Sequence, residues 1–305
     1  ETKISSFSSR FFNQVKYNNS RNSIIKVSQE NIKLKNEINF YKNIPPKLKV
    51  FFPILLNQDK EEDFLELEYL PFPNLAEIFL FRNIGANQWE NIVKSIFNIY
   101  SQFYLNNKYK HFLYNASHLY SYKLKKRIKI LNEIVDNLDN KLLKNIINSG
   151  IKVNNNYLPS LNITNNKLQK KLKEFEKQRP LLFGHGDLCF NNILIEPISG
   201  SIKLIDPKAD SVGKNKIGFV DPFYDLAKLN HSFRCFYDSI VNNMFSITYN
   251  QDQCELKIFK PFNYEVANFY FKKIFLDSLI DKELLRILTS NLFLSMIPLH
   301  KDDEQ

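Results

Sequence analysis

Five of the chain's seven glycines, Gly184, Gly186, Gly200, Gly213 and Gly218, lie between residues 184 and 218, where an even spread would place fewer than one. Glycine enters left-handed backbone conformations without steric cost. A 305-residue chain this sparing with it has confined most of its special backbone geometry to one short segment. Residues 181–207 of that segment read LLFGHGDLCFNNILIEPISGSIKLIDP. The apolar runs 193–195 and 202–205 flank turn residues at 197–200, the pattern of a β-hairpin. Centring the turn near Ser199 predicts Asn192 opposite Asp206 at the open end, with side chains about 5 Å apart if they share a face. An amide oxygen and a carboxylate are hard ligands, suited to a magnesium ion that keeps several waters and takes its other ligands from phosphates. Asp187, on the loop entering the first strand, is then placed to face a substrate hydroxyl, as the base of a phosphoryl transfer must be.

Composition narrows the class. The chain is 44% hydrophobic and 24% charged, a globular balance that excludes disorder and collagen-like repeats and leaves room for two cores. Cys189, Cys235 and Cys254 have no CxxC spacing, so neither a disulfide framework nor a zinc site is supported, and a reducing, cytoplasmic setting is expected. No apolar run reaches the roughly 18 residues of a membrane span, and residues 1–10 are too polar for a signal-peptide core. Glu1 in place of a methionine leads us to expect a segment upstream. The net charge of +10 is concentrated: residues 121–179 hold 14 Lys or Arg against 5 Asp or Glu. Leu124, Ile128, Leu131, Val135, Leu138 and Leu142 form one apolar helical stripe inside that block. The charge is therefore read as a solvated helix face, and without interleaved base-stacking aromatics no nucleic-acid partner is expected. Oligomeric state is left open.

Along the chain, residues 23–28 form a β-branched strand, and a helical pattern through Ile32, Leu34, Glu37, Ile38 and Tyr41 stops at Pro45-Pro46. Residues 50–56 and 63–70 read as two further strands, the second ending in Leu67-Glu68-Tyr69-Leu70-Pro71. Helical stripes follow at 87–105, 119–148 and 166–178, with an Asn-rich loop at 154–156, short strands within 182–206, and helices at 222–248 and 264–297. The expected fold is α+β and two-lobed, with a small mixed lobe at 1–70, a hinge, and a mainly helical lobe at 71–305 that carries the loop and hairpin at 183–208.

The run His185-Gly186-Asp187 with Asn192 five positions on, then Ile205-Asp206, Asp221-Pro222 and Asp225-Leu226-Ala227, resembles the catalytic core of the aminoglycoside phosphotransferase and choline kinase group. That group has the protein-kinase-like fold. The resemblance implies an ATP- and magnesium-dependent small-molecule kinase, with Asp187 as catalytic base, Asn192 and Asp206 as metal ligands, and Asp225 and His185 as structural supports of the loop. Such a kinase needs a strand lysine paired to a helix glutamate to hold the phosphates. Lys26 and Glu37 fit, with Glu30 as the competitor for the pairing, and Glu68 and Leu70 would present hinge backbone to adenine.

The run through Asp187 to Asn192, with Leu204-Ile205-Asp206-Pro207-Lys208, is similar to phosphotransferases of bacterial capsule and surface-glycan enzymes, which implies a sugar or sugar-like acceptor. Choline is the alternative acceptor, and a nucleotide-binding pseudokinase scaffold the alternative role. The positive charge argues against polycationic aminoglycosides. Two features depart from the group's pattern: residues 4–16 contain no glycine to cover the phosphates, and Pro207-Lys208 follows the metal aspartate. Cys189 is expected as a buried spacer, and His231 and His300 as core or surface histidines.

Overall fold

The β-branched residues 23–28 form the Ser23–Ser28 strand, the middle of a five-stranded antiparallel sheet in the computed structural model, which describes residues 2–3, 13–28, 31–58, 64–104, 112–137, 141–208, 217–250, 253–277 and 281–299. In spatial order its strands are Thr2–Lys3, Asn13–Asn18, Ser23–Ser28, Phe64–Glu68 and Leu55–Gln58. Lys26 stands opposite Val15 on one side and Leu65 on the other. The helix Asn31–Asn43 packs on this sheet and buries Leu34, Ile38 and Tyr41 as its spacing predicts; Phe40, outside that pattern, is buried as well, whereas Ile32, part of it, is 75% exposed.

The strand expected at 50–56 is corrected. Residues Pro46–Phe51 form a 3-10 helix with proline in its first turn, and strand begins only at Leu55. Proline presets the dihedral of a helical first turn, and Leu48 is then buried inward, so the apolar run serves a helix where its composition suggested a strand.

Contacts divide the chain into two compact units, Glu1–Lys110 with Leu181–Asp225 and Phe262–Ser278, and His111–Pro180 with Leu226–Pro261 and Leu279–Gln305. Besides the sheet, the first unit holds the helices Leu75–Phe81, Ala86–Tyr104 and Tyr264–Phe271, the last continuing as the π-helical turn Lys272–Leu276. Ala86–Tyr104 packs against this last pair, with the Phe97 and Tyr100 rings 5.0 and 5.7 Å from Phe275. The Phe40 ring stacks on Phe183 at 4.9 Å, which ties the first helix to the strand that leads into the glycine-rich loop.

In the second unit the helices Ser121–Asn137, Leu161–Phe175 and Lys282–Met296 pack together, and Leu124, Ile128, Leu131 and Val135 are buried as the stripe predicts. Glu176 closes the start of the first of these: Ser121 donates its amide to Oε2 at 3.1 Å and its hydroxyl to Oε1 at 2.6 Å. A four-stranded sheet here was not expected from the sequence. Its order is Phe245–Asn250, Gln253–Ile258, Ile151–Val153, Asn156–Leu158.

The helix expected over 222–248 is accordingly corrected to Pro222–Arg234 and Tyr237–Val241, with Phe236 between them in the left-handed region at φ 57°, followed by strand from Phe245. The Asn-rich loop is a tight hairpin turn, since Val153 pairs with Asn156 and Asn154 and Asn155 both have positive φ. The whole is α+β as expected. No helix among the described residues is long and apolar enough to cross a membrane.

Candidate active site

Asp225 is the point from which the glycine-rich loop hangs. It lies in the first turn of Pro222–Arg234, whose start is fixed by Asp221: Oδ1 accepts from the Phe223 amide at 2.9 Å. Asp225 Oδ2 accepts from the amides of His185 (3.1 Å) and Gly186 (3.0 Å) and from the Tyr104 hydroxyl (2.5 Å), while Oδ1 accepts from the Leu188 amide at 3.3 Å. Burial pushes its carboxyl above the usual range, and the Tyr104, Gly186 and Leu188 hydrogen bonds act in the opposite direction. Gly186 adopts φ 77°, a conformation that a side chain would strain, and this turns the chain so that successive amides converge on one carboxylate.

His185 is fully buried and supports the loop from within. Its Nε2 donates to the Ile205 carbonyl at 2.9 Å and its Nδ1 accepts from the Asp187 amide at 3.2 Å, which assigns the neutral ring with its proton on Nε2. The ring lies parallel to Phe52 at 6.2 Å. Asp187 is thus held by its backbone on both sides, because its carbonyl also accepts from Asn192 Nδ2 at 2.8 Å. Its carboxylate takes no part in these bonds.

The hairpin strands are Ile193–Ile195 and Ile202–Leu204, and their register places Ile193 opposite Leu204 and Ile195 opposite Ile202. This differs by one residue from the expected pairing. Asn192 faces Ile205, whose amide donates to the Asn192 carbonyl at 3.0 Å, and Asp206 lies one residue past the ladder. Simple alternation would send the Asp206 side chain to the face opposite Asn192. Instead Asp206 adopts φ 52°, which breaks the alternation and redirects the carboxylate.

The Asp206 carboxylate meets Lys26, whose ammonium donates to Asp206 Oδ1 and also to Glu37 Oε1 at 2.8 Å. The side chains of Lys26 and Glu37 are 14% and 16% exposed and that of Asp206 46%, so the triad opens to solvent at Asp206. Burial alone would lower the Lys26 pKa; the charges of Asp206 and Glu37 overcome it and hold the amine well above its usual range. Burial raises the Glu37 carboxyl despite the neighbouring ammonium. It also holds the Tyr41 hydroxyl well above its ordinary value.

At the expected hinge, the Glu68 amide donates to the Ile54 carbonyl at 2.9 Å and the Leu70 carbonyl accepts from Phe72 at 2.8 Å. Those two groups are engaged within the chain. Cys189 is a buried thiol outside any disulfide, and His231 is a fully buried histidine stacked on Tyr237 at 4.2 Å. Residues 4–12 of the segment expected to cover the phosphates, with Glu30, Gly213 and His300, lie outside the described residues. The sequence reading missed Tyr104, which looks like one more aromatic on an apolar helix stripe.

No protein-family model and no curated protein matches the chain. Solved structures do, in fold. Aminoglycoside phosphotransferase APH(2'')-Ib with ADP bound aligns over 98% of this chain and 86% of its own, at 14% identity and a TM-score of 0.56. A GDP complex of aminoglycoside 2'-phosphotransferase-IIIa aligns over 99% and 88%, at 13% identity and 0.56. A Haemophilus somnus 129PT protein assigned provisionally to the fructosamine-3-kinases aligns over 100% and 85%, at 11% identity and 0.54. The chain therefore has the fold of these phosphotransferases.

Proposed function

We propose that this chain is an ATP- and magnesium-dependent kinase that transfers the γ-phosphate to a hydroxyl of a small metabolite, with a sugar or sugar-like acceptor of surface-polysaccharide synthesis as the favoured class. The observation that carries the reading is the Lys26 ammonium joined to both Glu37 and Asp206, contributed by a strand, a helix and the hairpin. The fold likeness to phosphotransferases, one with ADP bound, supports it. The capsule-type motif Asp187-Leu188-Cys189-Phe190-Asn191-Asn192 supports the acceptor class. Residues 1–70 would form the nucleotide-binding lobe, with Glu68 and Leu70 at the adenine, and residues 71–305 the helical lobe.

The donor set fits a magnesium ion. Asn192 commits its Nδ2 to the Asp187 carbonyl, which leaves its amide oxygen as a ligand, and Asp206 presents a half-exposed carboxylate. Among the described residues there is no cluster of three or more His, Cys, Asp or Glu for a metal, as suits an ion held largely by phosphates and water. Asn192 and Asp206 would hold it, and its charge would offset that of the phosphates. Lys26, aligned by Glu37, holds the α and β phosphates once the nucleotide takes the place of Asp206 at its ammonium. The acceptor oxygen attacks the γ-phosphorus, the bond from that phosphorus to the bridging oxygen of the β-phosphate breaks, and Asp187 takes the hydroxyl proton.

The test is a screen for ADP release from ATP across hexoses, hexosamines, amino acids and choline, repeated with GTP by following GDP release. Turnover with a sugar, lost in Asp187→Ala, is the expected result. Turnover confined to choline would correct the acceptor, and nucleotide binding without turnover in any condition would overturn the enzyme.

A further inference from the structure

The helix Ser121–Asn137 carries its charges against its own dipole. Its first turn holds no acid and its last turn no base. Lys123, Lys125, Lys126, Arg127 and Lys129 crowd its start, while Glu133 and Asp136 lie toward its end. The reverse order, anions at the amino end and cations at the carboxyl end, is the one that stabilises a helix. The acid that closes this amino end, Glu176, is 5% exposed and is engaged by the Ser121 amide and hydroxyl. At the surface the lysines therefore add to the positive end of the dipole, an arrangement that serves something other than the helix.

The cations share one exposed face. Tyr122, Lys125, Lys126 and Lys129 follow at helical spacing on the side opposite the buried Leu124, Ile128, Leu131 and Val135, and all four are exposed, Tyr122 at 66%. The helix Leu161–Phe175 extends this face. Its Gln169 Nε2 donates to the Ser121 carbonyl at 3.2 Å, and Glu176 just beyond its end meets Ser121 as well. Lys173, four residues after Gln169 and three before Glu176, is thereby set on the same side beside the start of the first helix, and it is exposed. Glu174 lines a different pocket, together with Lys171 and Glu283. Lys125, Lys126 and Lys173 form no ion pair among the described residues, and Lys129 has only the solvent-exposed pair with Glu133 at 3.7 Å.

Such a face is complementary to a broad anionic surface. Lysine is a compact point charge on a flexible stem and lacks the planar fork with which arginine reads single phosphates or base edges. The Tyr122 ring, apolar in body and polar at its tip, suits the boundary between lipid headgroups and water. We propose that this face docks the protein on an anionic phospholipid bilayer. It holds the chain at the membrane surface without a spanning helix, and it stands apart from the kinase reading.

The experiment sediments the full chain with vesicles of pure phosphatidylcholine and of phosphatidylcholine with about one-third phosphatidylglycerol. Binding is expected to the anionic vesicles alone, weakening steeply as salt rises from about 0.05 to 0.3 M. Lys125→Gln/Lys126→Gln/Lys129→Gln should weaken it about fivefold per lysine, about 100-fold together. A second triple variant, Lys47→Gln/Lys49→Gln/Lys257→Gln, removes the same charge from exposed lysines elsewhere and should change binding by less than about threefold. The first triple variant should keep its thermal midpoint within about two degrees of wild type or raise it, since it takes cations from a helix start. That separates loss of docking from loss of fold. Tyr122→Trp sets an exposed indole on the face against a background of the buried Trp89, and its emission should shift to the blue on anionic vesicles. No binding to anionic vesicles, equal binding to neutral ones, equal losses in the two triple variants, or a Tyr122→Trp emission unmoved in the bound protein would each overturn the inference. Binding of duplex DNA in place of vesicles, lost in the first triple variant, would assign the face to nucleic acid and overturn it too.

Discussion

The hydroxyl of Tyr104 occupies the space in which Gly184 would carry a side chain: a Cβ there would stand 1.8 Å from that oxygen. From this position the hydroxyl donates to Asp225 Oδ2 at 2.5 Å, the same oxygen that receives the His185 and Gly186 amides. Gly184 thus belongs to the anchoring of the loop, through a residue eighty positions earlier in the chain. Gly184→Ala should displace Tyr104 and Tyr104→Phe should remove its donor, each costing about 1–3 kcal/mol in urea unfolding, the scale of a buried acceptor losing its partner. Both lose the same hydrogen bond, which can be lost only once. The double variant should therefore fall short of the sum by more than about 0.5 kcal/mol. Additive effects would separate Gly184 from the Asp225 anchor.

Asp187 is retained by its backbone, through His185 Nδ1 and Asn192 Nδ2, and on the proposed mechanism its carboxylate takes the proton of the acceptor hydroxyl. Asp187→Asn should therefore lower turnover by about 10²- to 10⁴-fold, the usual contribution of a positioned base. Its thermal midpoint should stay within a degree or two of wild type. His185→Ala should lose both activity and stability, because the ring connects the Asp187 amide to the Ile205 carbonyl. A large drop in the midpoint of Asp187→Asn would move that carboxylate into the scaffold.

What could be read in advance was what is local in sequence. The loop, the hairpin strands, Asp221 and Asp225 follow one another within about forty residues, and the spacing of strand and helix was enough to bring Lys26 to Glu37. The one-residue error in register came from centring the turn on Ser199, where the observed pairs centre it between Ile198 and Ser199. The positive φ of Asp206, which redirects its carboxylate, leaves no trace in the apolar pattern, since aspartate is common at strand ends and in turns. The four-stranded sheet was missed for a different reason: it joins Gln253 to Lys152 in a parallel pairing across a hundred residues. The Asn154-Asn155 pair was the available signal, because asparagine tolerates the left-handed region that a two-residue hairpin turn demands.

At Asp206 charge and backbone can be separated by the choice of substitution. Asparagine tolerates the left-handed region, so Asp206→Asn should fold normally. It removes the charge that joins Lys26 and, on the proposed mechanism, holds the metal. The magnesium concentration for half-maximal activity should then rise about tenfold or more. Asp206→Val adds a β-branched side chain at φ 52° and should cost about 1–2 kcal/mol of stability besides. Unchanged magnesium dependence in Asp206→Asn would remove Asp206 from the metal site.

Asp238 makes the chain's stability fall with rising pH in a window set by one group. It is fully buried in the first turn of Tyr237–Val241, and burial raises its pKa to about 7, against the opposing effects of the neighbouring Ser232 hydroxyl and the Lys228 charge. The native state therefore binds a proton that the unfolded chain has already released between its ordinary pKa of 3.8 and about 7. Stability declines as pH rises across that interval, because the folded state binds more protons there. At about 1.36 kcal/mol per pKa unit, the full change is of the order of 4 kcal/mol. Asp238→Asn removes the titration. Its stability relative to wild type should grow from pH 4 to pH 7 and level off above, which urea unfolding at stepped pH will show. A difference between the two proteins that does not vary with pH would mean that the Asp238 carboxyl keeps its ordinary pKa in the fold.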